Sequence, residues 1–455
     1  MSSPEVDQVN KYLPILVYAA DVNQQQTQKH AKLLHKIKHQ IRGGLYDKLD
    51  LRGFFQPAVQ QSIIKYVMSF RTIRVLEISH PLKTKYRKFF GVEETTQLAN
   101  FLRQPTVLSS LIFKGIQFSN FGPLAASFVD NASITFLKLD SCDLHSKDVT
   151  SLAFALQKNR TLTQLEICNN LEMGNSGLVS IPNLLIANHT FRVLTLQSCC
   201  ITSWGVQILC QGIKHSALRR ITLDANNLSH SFRHLGKAIA AHPTLEVLSV
   251  SSCCLQNSDL KEFAVELINS ANSMDEIPAT LPILTLNLSG NFFEREGIDC
   301  LSQGLARSKR QFMLGLEFCN LDVTSITHLC EPLSSTTSLV GLNLSMNPIQ
   351  DSGATALSEG LENNNSLTEL WLEHCAITNI GGLKLSQGLR NHGCLRKLKI
   401  QSNPIDMPIQ GILDLKVATI TMPPLKKLQL GIHSEEESKI SSYEKVAELL
   451  QYCVL

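Results

Sequence analysis

A phrase of the form Leu-x-Leu-x-x-(Asn or Cys)-x-(Leu, Ile or Phe) recurs about every 28 residues through most of this chain. Recurrence at a fixed period of this size predicts a solenoid, in which each copy packs only against its neighbours. Because a solenoid core lengthens with every copy, the 455 residues need not divide into two or three globular domains. The copies begin at Leu137, Leu165, Leu194, Ile221, Leu248, Leu286, Leu314, Leu342, Leu370 and Leu398.

Each copy combines a short strand with one slot for Asn or Cys. Alternate side chains of a strand point to opposite faces, so the two Leu positions face the core and the residue between them faces outward. We expect the slot Asn to turn inward and bond backbone groups of neighbouring copies, whereas Cys is small and apolar enough to be buried without such bonds. The slots are assigned to Cys142, Asn169, Cys199, Asn226, Cys253, Asn291, Cys319, Asn347, Cys375 and Asn403.

The alternation of Cys and Asn, together with helical segments such as Leu-Ser-Gln-Gly-Leu at 301–305 and 385–389, resembles the leucine-rich repeats of the ribonuclease inhibitor type. The resemblance covers roughly residues 130–410, and the same repeat class occurs in NOD-like sensors and in the activating protein of the Ran GTPase. It implies an α/β solenoid, a leucine-rich-repeat horseshoe with parallel strands on the concave side and helices on the convex side. It also implies that a partner binds along the concave face or its edges.

The array is expected to occupy residues 48–433, between an N-terminal helical cap at 1–47 and a C-terminal capping helix at 434–455. Weaker copies begin at Leu49, Leu76 and Leu111, as expected of terminal repeats, and Leu428 begins a last strand. The N-terminal cap has apolar residues at helical spacing and a basic opposite face. That face is either the solvated side of the cap or an interface for a partner or a membrane surface.

Two intervals between slots are longer than the rest. The first, between Pro81 and Ile116, contains a basic and aromatic cluster at 83–90 that either binds phosphate groups or an acidic partner, or packs its aromatic rings on the first repeats. The second, between Cys253 and Asn291, has an insertion near 269–281. Insertions in repeat arrays map to loops, so this one is either an edge for a partner or a plain connector.

Composition limits the possible functions. The 42 basic and 39 acidic residues give a formal net charge of +3, which argues against a nucleic-acid partner. No signal peptide and no membrane span are apparent, so a soluble protein is expected.

Thirteen cysteines, five of them in repeat slots, indicate packed, reduced thiols and a cytoplasmic location. Spacings typical of metal sites, cofactor loops and catalytic motifs are missing, so no metal, no cofactor and no enzymatic activity are expected.

The last segment gives a second resemblance. Residues 434–437 read Ser-Glu-Glu-Glu, which fits the capped start of a helix. A glutamate cluster about twenty residues from an apolar terminus is also similar to the C-terminal translocation signals of Dot/Icm type IV effectors of Legionella. That resemblance implies a virulence effector acting in the host cytosol, and the alternative is an ordinary eukaryotic cytosolic adaptor.

The sequence therefore predicts a monomeric, non-enzymatic module that binds a cytosolic protein partner on its concave face. The alternative is a GTPase-activating protein of the Ran type, which needs a polar loop residue against a bound nucleotide, and none is matched. Trp371 is the expected anchor, because an indole between two inward Leu residues faces the hollow and Trp is common at binding hot spots. The predicted protein-binding residues are Glu317, Asn343, Glu369, Trp371, Glu373, Lys397, Lys399 and Lys427.

Overall fold

Strands and helices alternate along the chain in the computed structural model. It describes residues 48–50, 73–79, 88–272, 281–333, 337–390, 392–406 and 408–410. The chain divides into two compact units, Met1–Thr222 and Leu223–Leu455. The expected caps at 1–47 and 434–455, and the expected strand at Leu428, lie outside the described residues. None of the described helices is long and apolar enough to cross a bilayer.

Unit 1 contains a parallel sheet in the order β1-β2-β4-β6-β7-β8-β9 and a separate parallel pair, β3-β5. Its strands are β1 Lys48–Asp50, β2 Val75–Ser79, β3 Lys88–Phe90, β4 Ser110–Lys114, β5 Ile116–Phe118, β6 Phe136–Asp140, β7 Gln164–Cys168, β8 Val193–Gln197 and β9 Arg220–Thr222. Its helices are α1 Val92–Leu102, α2 Gly122–Ser127, α3 Ser146–Lys158, α4 Ile181–Ala187 and α5 Ser203–Ile213, with a 3₁₀ turn at Asn175–Leu178.

Unit 2 contains six parallel strands in the order β10-β11-β12-β13-β14-β15. The strands are β10 Val247–Ser249, β11 Leu284–Asn287, β12 Phe312–Gly315, β13 Leu339–Asn343, β14 Glu369–Trp371 and β15 Lys397–Lys399. The helices are α6 Phe232–Ile239, α7 Asn257–Asn272, α8 Arg295–Arg307, α9 Val323–Cys330, α10 Gln350–Glu362 and α11 Asn379–Gly388. This alternation confirms an α/β solenoid of the ribonuclease inhibitor type.

The repeat phrase explains the register of the strands. Leu342, Leu370 and Leu398 pair with one another in successive strands, so equivalent positions of the copies align across the sheet. Leu342 and Leu370 are fully buried, while Trp371, between two inward Leu positions, is half-buried. The predicted alternation of core and outward side chains is therefore confirmed.

The slot Asn residues bond backbone groups across two copies. Asn347 is buried, and its amide nitrogen donates to the carbonyls of Leu316 and Leu344 at 2.8 Å each. Its carbonyl oxygen accepts the backbone N–H groups of Cys319 and Leu321 at 3.0 Å each. Asn291 and Asn403 bond in the same way, although Asn403, in the last described copy, is only half-buried.

One slot was assigned wrongly. In the copy that begins at Leu165 the buried residue is Asn170, whose oxygen accepts the N–H groups of Cys142 and Leu144. Asn169 is exposed and has a φ of 55° in the left-handed region. Asn170 follows the first Leu of its copy by the same number of residues as Cys142 follows Leu137. The sequence spacing therefore places Asn170, not Asn169, in the slot.

The slot cysteines are buried thiols that bond to the preceding copy. The thiol of Cys319 lies 3.5 Å from the carbonyl oxygen of Leu288, and burial raises the pKa of this thiol to about 12. All twelve cysteines in the described part of the chain are free. The expectation of packed thiols fails at Cys200 and Cys254, which directly follow a slot and are exposed.

The turns that follow the helices are closed by a second buried polar residue. Asn364 accepts the N–H groups of Ser366 and Leu367 at 3.0 and 2.8 Å. His392 does the same in the next copy, where its Nδ1 accepts the N–H groups of Cys394 and Leu395 at 3.3 and 3.1 Å. Burial of this ring lowers the pKa of His392.

Arg310 lies beside the second insertion and links neighbouring turns of the chain by hydrogen bonds. Its buried guanidinium donates to four backbone carbonyl groups. The accepting oxygens belong to Ile239 at 2.8 Å, Pro282 at 3.1 Å, His242 and Leu245. Desolvation lowers the pKa of the guanidinium to about 10. One side chain thus joins turns from three successive copies.

The two insertions have different structures. In the first, β3 pairs with β5, and Phe90 is buried edge-on against Phe113 and Phe118 at 6.1 and 5.9 Å between ring centroids. This contact supports aromatic packing on the first repeats, while residues 81–87 lie outside the described residues. In the second, residues 269–272 continue helix α7, and residues 273–280 are not described.

Candidate protein-binding site

The candidate site lies on the outward side of the unit 2 sheet, on the face opposite to the buried Leu side chains. Strand β14 contributes Glu369 and Trp371, and Glu373 follows just beyond the strand. The parallel register places Trp371 between Asn343 of β13 and Lys399 of β15, and Glu369 beside Lys397. The described members form what we call the Trp371 face: Glu317, Asn343, Glu369, Trp371, Glu373, Lys397 and Lys399.

The indole of Trp371 is half-buried rather than fully exposed. The side chain of Lys397 covers part of the ring, because its Nζ lies 4.8 Å from the centroid of the Trp371 indole. The same ammonium lies 3.3 Å from a carboxylate oxygen of Glu369. A cation over an indole face is worth about 0.5–1 kcal/mol at an exposed site. Lys397 therefore holds the ring in place and still leaves part of it open to solvent.

The other polar members of the face are also paired with one another. The amide of Asn343 donates to Glu317 at 3.2 Å, and Nζ of Lys399 lies 4.0 Å from a carboxylate oxygen of Glu373. Exposed ion pairs of this kind contribute about 0–1 kcal/mol to stability, so their main effect is to orient the side chains. The structure thus brings together all the predicted site residues except Lys427, which lies outside the described residues.

An exposed apolar edge borders this face and was missed by sequence reasoning. Phe292 and Phe318 are 65% and 58% exposed, and their rings meet edge-to-face with centroids 6.2 Å apart. Met346, at the position equivalent to Phe318 in the next copy, is 47% exposed. Phe318 directly follows Glu317, so the edge continues the Trp371 face along the chain. We call Phe292, Phe318 and Met346 the Phe edge.

Two members of the Phe edge occupy a backbone conformation that suits other residues better. Phe318 and Met346 have φ values of 53° and 60°, in the left-handed region. This conformation costs an L-residue roughly 1–2 kcal/mol, and bulky side chains there are uncommon. Other copies place smaller residues at this position, including Ser198, Ala225, Ser252 and Ser402. A large apolar side chain just before the slot is the sequence signal that marks this edge.

The one cluster of metal-ligating side chains among the described residues lies apart from the Trp371 face. Among the described residues, one group of side chains has metal-ligating atoms within 4.8 Å of one another, namely Asp299, His328 and Glu331. It belongs to α8 and to the end of α9, on the helical side of unit 2. The Trp371 face itself offers a half-covered indole, paired charges and an apolar border, which is the chemistry of a contact surface.

Comparison with known proteins supports the repeat assignment. The family described as "Leucine Rich repeat" matches residues 241–264, 336–358 and 363–386. Ribonuclease inhibitor of Sus scrofa is 29% identical over 220 residues, which cover 48% of this chain and 46% of that protein. This chain is therefore similar to proteins with leucine-rich repeats, ribonuclease inhibitor among them.

Other relatives share the same repeats. "NACHT, LRR and PYD domains-containing protein 14" of Homo sapiens is 27% identical over 222 residues, which cover 48% of this chain and 19% of that protein. The alignments thus span less than half the length of either relative. A solved chain titled "Leiomodin-1 Actin-Binding Site 2 (ABS2)" aligns with 42% of this chain and 96% of its own length at 14% identity and a TM-score of 0.28.

Proposed function

We propose that this leucine-rich-repeat protein is a protein-binding module whose partner docks on the Trp371 face of unit 2. We propose further that it acts by binding rather than by catalysis. The relatives support a protein-binding role, because one of them is named ribonuclease inhibitor, and its name describes action on another protein. The geometry of unit 2 supports the choice of surface.

Trp371 is the observation that carries the proposal. It stands on the outward side of the sheet, where packing of the Leu core gives no reason for an indole. The ring remains half exposed even with Lys397 above it. Trp is among the commonest hot-spot residues, and burying the rest of the ring would add apolar contact at the centre of a polar rim.

The charges around Trp371 indicate the chemistry of the partner. Glu369, Glu373, Lys397 and Lys399 already form two ion pairs, so docking does not leave a buried charge without a partner. Lys397 is the most exposed of the four and meets an approaching molecule first. We infer a folded protein that places an apolar side chain on the indole and polar groups of both signs around it, with the Phe edge extending the apolar contact.

The partner is proposed to be cytosolic. The free cysteines of the described chain, with five slot thiols buried in the core, are the pattern expected in a reducing compartment. The effector interpretation depends on residues 434–455, which lie outside the described residues, so it stays a prediction. The Ran-type interpretation also stays a prediction, and no contact among the described residues favours it.

The test uses the two tryptophans of the chain as a matched pair. A partner captured by cross-linking from cytosolic lysate is purified, and its affinity is measured against the wild-type chain, Trp371→Ala and Trp204→Ala. Trp204 is 53% exposed in α5 of unit 1, outside the proposed face. Loss of a hot spot should weaken binding by at least about 2 kcal/mol, roughly thirtyfold, in Trp371→Ala alone. Equal affinity of the wild-type chain and Trp371→Ala would rule out the face.

A second variant separates binding from folding at the Phe edge. Asn tolerates the left-handed conformation better than Phe, so Phe318→Asn should leave stability unchanged or raise it by up to about 1 kcal/mol. If the edge contacts the partner, the same variant should bind more weakly. Lower stability together with unchanged affinity would mean that Phe318 serves the fold rather than the interface.

A further inference from the structure

A cluster of three metal-ligating side chains joins two neighbouring helices of unit 2. Asp299 lies on α8, His328 lies in the last turn of α9, and Glu331 directly follows that helix. The Nδ1 atom of His328 lies 3.5 Å from a carboxylate oxygen of Glu331 and 3.8 Å from one of Asp299. The ligand atoms of all three residues lie within 4.8 Å of one another.

These separations are too long for hydrogen bonds, which join nitrogen and oxygen at about 2.7–3.2 Å. Among the described residues, Nδ1 of His328 is shielded from solvent and has no hydrogen-bond partner. Buried polar atoms nearly always have a partner, so this nitrogen is an exception that calls for a ligand. One carboxylate near this nitrogen comes from α8, and the other from the residue that directly follows α9.

The spacing fits a metal ion at the centre of the cluster. Zinc binds nitrogen and carboxylate oxygen at about 2.0–2.2 Å, so two ligand atoms on a tetrahedral ion lie about 3.4 Å apart. The separations of 3.5 and 3.8 Å are close to that value. We propose that Asp299, His328 and Glu331 bind a divalent transition-metal ion of the zinc class, and that the ion ties α8 to α9.

The donor set favours this class of ion. An imidazole nitrogen suits zinc and its neighbours in the transition series, whereas calcium and magnesium take oxygen ligands almost exclusively. Three protein ligands leave a fourth position of a tetrahedral ion for water or another donor. This site lies on the helices rather than on the Trp371 face, so it is independent of the proposed function.

Neighbouring contacts hold two of the ligands in place. The amide of Gln303, one turn along α8, donates to both carboxylate oxygens of Asp299 at 3.1 Å each. The hydroxyl of Ser302 donates to the backbone carbonyl of His328 at 3.3 Å, which links α8 to α9 beside the cluster. Contacts of this kind around metal sites orient the ligands and increase affinity.

The test is a titration of the reduced full-length chain with Zn²⁺, and with Co²⁺ as a spectroscopic probe, in a reductant that does not bind metal. The matched variants are His328→Gln at the site and His215→Gln at an exposed histidine of unit 1. We expect one ion per chain, a rise in the melting temperature with Zn²⁺, and a Co²⁺ spectrum without a thiolate band. His215→Gln should bind as the wild-type chain does, and His328→Gln should lose the ion.

A second variant of the site distinguishes the loss of a metal ligand from a failure to fold. Glu331 is largely exposed, so Glu331→Gln should fold normally while binding Zn²⁺ at least about tenfold more weakly, since even changes outside the ligand set cost that much. A wild-type chain that binds no Zn²⁺, equal affinity in His328→Gln, or ligation by cysteine would overturn the proposal. Preference for Ca²⁺ or Mg²⁺ over Zn²⁺ would also overturn it.

Discussion

Replacing Asn347 by Ala should destabilise unit 2 well beyond the loss of one polar side chain. The substitution removes the acceptor of the buried N–H groups of Cys319 and Leu321 and the donor to the carbonyls of Leu316 and Leu344. A buried group left without a partner costs about 1–3 kcal/mol. With two donors orphaned, and the carbonyls less affected because they have two lone pairs, we expect a loss of about 3–5 kcal/mol.

The assay is equilibrium unfolding in urea, followed by far-UV circular dichroism and by tryptophan fluorescence. Two probes are needed because repeat arrays can unfold copy by copy, and a free energy is taken only where the two transitions coincide. The exposed Asn365 provides the matched control, and Asn365→Ala should change stability by less than about 0.5 kcal/mol.

A second substitution at the same slot tests the reasoning more sharply. Cys occupies this slot in the neighbouring copies, so Asn347→Cys introduces a residue that the fold accepts elsewhere. A thiol does not replace the side-chain carbonyl oxygen that accepts the backbone N–H groups of Cys319 and Leu321. This variant should therefore lose nearly as much stability as Asn347→Ala. If Asn347→Cys were as stable as the wild-type chain, the slot would need only a small side chain, and the hydrogen-bond account would be refuted.

Further predictions concern other buried groups. Arg310→Met should lower stability by at least about 2 kcal/mol in urea titrations, because four carbonyls lose their donor, and an unchanged midpoint would contradict the linking role of Arg310. His392 has a lowered pKa, so its neutral ring stabilises the fold above its ordinary pKa of 6.5, and this contribution is lost as the pH falls through the lowered value. His392→Asn keeps an acceptor and should therefore weaken this acid sensitivity, which unfolding titrations at a series of pH values measure. In the native chain a thiol reagent should label Cys200 and Cys254 long before Cys319, as mass spectrometry can show, and equal labelling would contradict the burial of the slots.

The parts of the fold set within one copy were predictable from the sequence. Strand alternation places Leu342 and Leu370 inside and Trp371 outside whatever the neighbours are, and the slot Asn residues must satisfy backbone groups wherever they are buried. The error at Asn169 arose because two adjacent Asn residues both fit a polar slot. Spacing from Leu165 rather than residue type decides between them.

Features that depend on contacts between copies were not predictable. Arg310 reads as an ordinary charged residue, and only the meeting of three turns shows why its guanidinium is buried. The position of Lys397 over Trp371 depends on one lysine rotamer, and the cluster around His328 needs two helices side by side. Spacing along one chain does not reveal such lateral neighbours.

The alternation of Asn and Cys slots sets a rule for how this solenoid can grow. The slot residues Asn170, Asn291, Asn347 and Asn403 accept backbone N–H groups of the preceding Cys copy. The slot thiols of Cys319 and Cys375 lie against carbonyl groups of the copy before them. A Cys copy followed by another Cys copy would leave buried donors unpaired. Duplication or deletion of repeats should therefore be tolerated when it involves two neighbouring copies together. The evolutionary unit of the array is then a pair of one Cys copy and one Asn copy. An artificial array assembled from single copies would have to alternate them in the same order.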